Sequence, residues 1–318
     1  MIRYMFGRLF MAVLVALLVT AFLGLLIHLL PGDPVRLLLG SRASPEAVAA
    51  ARSNLFLDEP VHVQVWEFVR NALQGDLGRD LVTNQPVANR IASAFPHTVV
   101  LALAGLAIAV AGGLVMGVYS AMHPNSWVDN LTRIISISFM TMPSYVAGLF
   151  LILIFAVNLK WFPSTGAGEF ADPIGYLQHL ILPATSLGLL WVGYLSRIVR
   201  TSMLEALNKN YVYAARAMGV SEPIVGYKYS LRNAIIPTVA VLGVGLGNLL
   251  GGAIFVELIF ARPGMGSLIV QAIEVRNYPI VRGGVLVIAV TFVLANLLAD
   301  LSYRALDPRM RAGKKAAA

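Results

Sequence analysis

The sequence contains no cysteine. Disulfides, thiolate metal sites and cysteine nucleophiles are thereby excluded. Charge is nearly as scarce: 13% of the 318 residues are Asp, Glu, Lys or Arg, where ordinary soluble domains carry about 25%. A soluble chain of this length buries a large core, but it also needs a polar surface, and this composition does not supply one. With 58% apolar residues and a mean hydropathy of +0.76, the chain reads as a multi-span membrane protein.

The signatures of nucleotide and metal chemistry are missing too. No G-x-x-x-x-G-K-[ST] segment occurs, and the single Gly-Lys, in "GKK" near the end, has no Ser or Thr after it. The chain therefore has no P-loop to hold ATP phosphates. "GVGLGNLLGG" at 243–252 is glycine-rich but lies inside an uncharged run with no strand before it; small residues there let helices approach closely. There is no H-E-x-x-H, no G-x-S-x-G, and the five histidines (His28, His62, His97, His123, His179) are scattered. No pair of carboxylates falls inside an apolar run. Asp300 stands alone near the inner end of the last run and Glu257 at the outer end of the fifth. What remains is a passive pathway: a channel, or the membrane half of a transporter driven from elsewhere.

Uncharged runs at 9–32, 91–128, 134–159, 173–196, 233–256 and 283–299 give the organisation. A helix needs roughly 20 apolar residues to cross a bilayer, so six spans are predicted near 9–30, 98–121, 134–157, 178–199, 234–256 and 280–302. The first run is about twice as long as the 7–15 residues of a signal h-region and has no small-residue cleavage site, so it reads as a retained anchor. With the N-terminus inside, fourteen Lys and Arg fall on the inner side and four in the short outer loops, which predicts that both termini are cytoplasmic. The net charge of +8 does not point to nucleic acid, because the basic residues flank apolar runs without an aromatic-basic stripe.

Residues 31–97 are long enough for a small helical subdomain outside the membrane. Ser44, Pro45 and Glu46 carry a helix-start signature. Val61, Val65, Phe68 and Val69 share a helical face, and "GDLGRDL" reads as a turn. Opposite in character is the polar connection at 200–233. "SMLEALNKNYVYAARAM" is rich in helix formers, and Gly219 follows where a left-handed residue stops a helix. Ser221 is placed to cap a second helix, with Glu222 in its first turn and Pro223 behind it. The predicted shape is helix, glycine turn, helix. Ala214, Ala215 and Ala217 thin the first helix, so that another protein's surface can come close.

"AARAMG" at 214–219 resembles the EAA motif of permeases from binding-protein-dependent ABC importers. The surrounding stretches "GDPVRLLLG", "SPEAVAAARSNL", "PVANRI", "ILPATSLGLL", "RIVRTSMLEALNKNYVYAARAMGV", "LRNAIIPTV", "LLGGAIFVELIFARPGMG" and "DLSYRALDPRMR" are similar to one branch, the B-type permeases of dipeptide, oligopeptide, glutathione and nickel importers. The resemblance implies an all-α, type I importer permease fold with six transmembrane helices: an anchor at 1–30, an extracytoplasmic subdomain at 31–97, a permease core at 98–311 with a coupling loop at 205–233, and a tail at 312–318. It implies a bacterial inner-membrane location and a heterodimer with a homologous C-type permease. It also implies two cytoplasmic ATPases that bind ATP and Mg, and a periplasmic binding protein; this chain would hold no cofactor itself. Where the family has a leading Glu, this chain has Tyr213, which shifts the expected grip on an ATPase from a charge pair toward shape and apolar contact.

On this reading Tyr213, Ala214, Ala215, Gly219, Ser221 and Glu222 form the ATPase-coupling surface. Ser136, Ser138, Thr141, Ser144 and Asn248 line the pathway, with Pro143 bending the third span. Glu257 and Arg262 gate the outer mouth. The cargo is peptide-like, since the pathway residues are polar and uncharged; glutathione or nickel is the alternative within the branch. A stand-alone channel or secondary carrier is a reading from another class, and predicts transport by this chain alone. A structural assembly factor is a third, and predicts no wet cavity.

Overall fold

The computed structural model describes residues 59–306, together with scattered positions between 7 and 52. The expected anchor at 9–30, the helix start at Ser44 to Glu46 and the tail at 312–318 fall largely or wholly outside the described residues. Every described position between 7 and 25 is helical. From residue 59 onward the elements are α1 (Val61–Leu73), α2 (Val87–Met122), α3 (Trp127–Thr141), α4 (Ser144–Leu151), α5 (Pro173–Leu207), α6 (Asn210–Ala217), α7 (Glu222–Ile224), α8 (Leu231–Ile259), α9 (Met265–Glu274) and α10 (Tyr278–Leu306). Among the described residues, four helices are long and apolar enough to cross a membrane, and a fifth if the bent pair α3–α4 counts as one span.

The chain divides into two compact units, Met1–Thr98 with Pro263–Leu294 and Val99–Arg262 with Ala295–Ala318. In the first, Val87, Ile91, Met265, Leu268 and Ile280 form an apolar core. A polar knot lies beside it. Asp80, in the predicted turn "GDLGRDL", is buried and accepts hydrogen bonds from the Val82 N–H at 2.8 Å, the Thr83 hydroxyl at 2.6 Å and the Asn277 amide at 2.5 Å. Burial alone would raise its pKa, but these hydrogen bonds outweigh it and hold the carboxyl below its ordinary value. The face predicted on α1 is half-buried at Val61, Val65, Phe68 and Val69. Its most buried member is Gln64, and Arg282 lies 4.2 Å over the Phe68 ring while donating to the Gln64 carbonyl at 3.3 Å. Arg282 is thus a buried helix residue and not the outer-loop charge expected of it.

In the second unit α5 is the central helix. Leu187, Trp191 and Leu195 pack with Leu101, Ala102 and Ala109 of α2 and with Leu249, Leu250, Ala253 and Val256 of α8. Lipid is as apolar as leucine, so close van der Waals contact holds such helices together. Gly117 permits it: a methyl group there would lie 2.7 Å from the Ser196 carbonyl oxygen and 2.7 Å from Val199. Between α3 and α4 the expected single span is broken. Pro143 has no N–H to continue the helix, its backbone is extended (φ −59°, ψ 142°), and the two halves meet at 108°. Beyond Leu151 the helix widens into a π-helical stretch over Ile152–Asn158.

Charge also enters this unit. Asp129, fully buried in the first turn of α3, accepts from Arg200 of α5 at 2.7 and 2.8 Å and from the Ser120 hydroxyl of α2 at 2.5 Å. One bidentate pair therefore ties three helix ends together.

Candidate functional site

The helix α5 has 35 residues, about 52 Å at 1.5 Å per residue, while the hydrocarbon core is about 30 Å thick. It outruns the predicted span by eight residues, from 199 to Leu207. It does not continue to Met218, as the helix formers predict. The Asn208 side-chain amide donates to the Leu204 carbonyl at 3.0 Å and satisfies an open carbonyl at the helix end. After extended Lys209, α6 begins afresh at Asn210.

The turn after α6 takes the predicted form. Gly219 has φ +79°, its N–H donates to the Arg216 carbonyl at 2.9 Å, and the Val220 N–H donates to the Ala215 carbonyl at 3.1 Å. This is the Schellman pattern, which needs a left-handed residue at that place. Ser221 has the extended backbone of an N-cap, but its hydroxyl makes no cap hydrogen bond. Glu222 closes the turn instead: Arg216 reaches its two carboxylate oxygens at 2.7 and 3.1 Å, and that hydrogen-bonded pairing lowers the Glu222 pKa.

Ala215 is placed differently from expectation. It is 1% exposed and packs with Val212 and Val225 in a small core closed by Leu207 and Val220. Its small side chain lets the knuckle fold on itself and offers nothing to a partner. The outward face of α6 consists of Tyr213, Ala214, Ala217 and Met218, all exposed, and spaced for one side of a helix. Tyr213 is 54% exposed and Met218 75%, so the face is apolar and contoured, with no acid on it. The one-turn α7 does not end before the next span. A π-helical stretch, Val225–Ser230, carries it unbroken into α8 at Leu231. Asn233 of α8 donates to the Tyr211 hydroxyl at 3.0 Å. The knuckle is thus joined to α5 at one end and to α8 at the other.

The expected pathway residues separate. Ser144 and Asn248 line one cavity of about 330 Å³, with Leu190, Trp191 and Gly252. Ser138 and Thr141 lie on the exposed side of α3, each bonded back to its own helix through the Ile134 and Ile137 carbonyls. Ser136 is 5% exposed, within 2.6 Å of the Ser196 hydroxyl, and opens onto a different cavity beside Arg197 and Arg200. The two outer-gate residues are both buried: Glu257 is 0% exposed and Arg262 1%. The Arg262 guanidinium donates to the Tyr176 hydroxyl at 2.6 Å and lies 5.0 Å from the centre of that ring, fastening the end of α8 to the start of α5. Neither residue faces a mouth. The feature that the sequence reading missed is the Asp129–Arg200 pair, whose partners stand outside the apolar runs.

The sequence matches two family models, one described as binding-protein-dependent transport system inner membrane component over residues 113–312 and its N-terminal companion over residues 1–102. It is 38% identical over 311 residues, 98% of this chain and 99% of the relative, to the glutathione transport system permease protein GsiC of Escherichia coli (strain K12). The same protein of Salmonella typhimurium is also 38% identical over 311 residues. Among solved structures, an inward-facing form of the MetNI methionine ABC transporter aligns with a TM-score of 0.53 at 19% identity, over 69% of this chain and 96% of that one. An amino acid ABC transporter crystallised with histidines aligns with a TM-score of 0.51 at 18% identity, over 68% and 94%. These alignments establish the fold.

Proposed function

Because the chain belongs to the family of inner membrane components of binding-protein-dependent transport systems, we propose that it forms half of an import pathway for short peptides, with glutathione, a tripeptide, as the first candidate cargo. Family membership makes it a multi-pass permease subunit of an ABC importer, a system that includes ATPase subunits and a binding protein.

The observation that carries the mechanism is the double attachment of the knuckle. A displacement applied to Tyr213, Ala214, Ala217 and Met218 passes directly into α5, which ends at Leu207, and into α8 through the unbroken helical run from Glu222. ATPases that close on ATP would thereby rock two spans together, as alternating access requires. The partners supply the energy, by binding the two arrangements unequally. The chain's own part is to hold a rigid handle: Gly219 sets the turn and Arg216–Glu222 clamps it. Ser144 and Asn248 give the cavity between α4, α5 and α8 a polar lining without charge, suited to an amide backbone. A homologous C-type permease completes the pathway, and both termini face the cytoplasm, on the strength of the Lys and Arg asymmetry.

The complex purified from native membranes and reconstituted in vesicles with its binding protein is expected to accumulate radiolabelled glutathione when ATP is supplied on the ATPase side. Accumulation of a non-peptide solute instead, with glutathione and dipeptides excluded, would overturn the cargo assignment and leave the importer assignment standing.

A further inference from the structure

A cavity of about 370 Å³ opens between α3 and α5, lined by Arg133, Ser136, Ser196, Arg197, Arg200 and Thr201 with Thr132 and Ile137. Its charge is one-sided. Three guanidinium groups line it, and no carboxylate does. Arg200 spends Nε and Nη2 on Asp129, so that charge is compensated. Arg133 bonds only to Asn130, and Arg197 is exposed with no ion pair among the described residues. The spacing explains the convergence: Arg197, Arg200 and Thr201 fall at i, i+3 and i+4 on α5, and Arg133, Ser136 and Ile137 repeat the pattern on α3. The floor is made by two buried hydroxyls, Ser136 and Ser196, hydrogen-bonded at 2.6 Å. Immediately beyond Arg133 the α3 surface turns apolar, with Ile134 63% and Ile137 57% exposed.

We propose that this cavity binds the phosphate headgroup of an acidic phospholipid, cardiolipin or phosphatidylglycerol, in the cytoplasmic leaflet. Planar guanidinium groups match phosphate oxygens in a bidentate fashion. A basic pocket between spans at the inner boundary is the setting in which such headgroups bind. Ile134 and Ile137 offer the acyl chains a surface directly beside the pocket. The leaflet follows from the orientation proposed above; the chemistry of the pocket does not depend on the cargo. A lipid there would brace α3 against α5, one of the two helices that the knuckle drives.

The test uses the whole purified complex in detergent, incubated separately with cardiolipin, phosphatidylglycerol and phosphatidylcholine, with retained lipid counted by native mass spectrometry. The wild-type complex should retain the acidic lipids in preference to phosphatidylcholine. The double variant Arg133→Gln/Arg197→Gln should lower that occupancy about tenfold, the loss of roughly one charge-assisted contact, and Arg133→Lys/Arg197→Lys should recover part of it. If the Gln pair does not assemble, the Lys pair and the single Arg197→Gln are compared with wild type by the same count. Equal retention of phosphatidylcholine, or occupancy unchanged by the substitutions, would overturn the proposal. So would inorganic phosphate or glutathione binding in an arginine-dependent manner while acidic lipid does not, since the ligand would then be a free anion or the cargo.

Discussion

Asp129 and Arg200 stand 71 residues apart in the chain, and both lie just outside the uncharged runs, where a single sequence shows two isolated charges. The fold makes them a bidentate pair with Asp129 fully buried. Removing one partner of such a pair leaves the other charge poorly compensated. Asp129→Asn is therefore expected to destabilise the chain by about 3 kcal/mol, read as a lowered thermal midpoint of the detergent-solubilised complex; an unchanged midpoint would mean that the pair contributes nothing. Glu257 and Arg262 carry the opposite lesson. Their position next to a "RPGMG" turn reads as a gate from sequence, because burial is invisible there. In the fold Arg262 is held by the Tyr176 hydroxyl and ring, 86 residues away, a pairing that only the packing of α5 on the end of α8 creates.

Apolar runs mark only the part of a helix that lies in lipid, which is why the spans were legible and their continuations were not. The helix α5 persists to Leu207 and the run leading into α8 begins at Glu222, both in segments whose polarity hides them from a hydropathy count. The local chemistry of the knuckle was more readable: Gly219 does take a left-handed turn, with φ +79°. The helix break at Asn208 was not, since it depends on that side chain bonding back to the Leu204 carbonyl. Nor was the split among the alanines, because small residues serve equally for close docking and for tight internal packing. That split is testable. Ala215→Glu places a charge in the knuckle's core and should unfold it, exposing 205–233 to protease. Ala217→Glu should leave protease resistance unchanged and reduce coupled ATP hydrolysis about tenfold or more, as a charge buried without a partner at an apolar contact requires. Equal protease sensitivity in the two variants would contradict the assignment of faces.

At the scale of the molecule, scarcity of charge already pointed to a membrane protein, and the missing P-loop to a pathway without its own motor. Family membership now states the same division of labour: a permease subunit whose transport is driven by other chains. The broken span at Pro143, the extended central helix and the knuckle bound to two spans are the parts on which such a drive would act. The central claim is that this chain conducts only when ATPases act through the knuckle. The measurement that tests it most directly is uptake of labelled glutathione into vesicles containing the complete complex, the complex carrying Ala217→Glu, or the permease chains without ATPases. ATP-dependent uptake by the wild-type complex, with little or none in the other two, is the predicted result. Uptake by the permease chains alone at the rate of the complete complex would contradict the account.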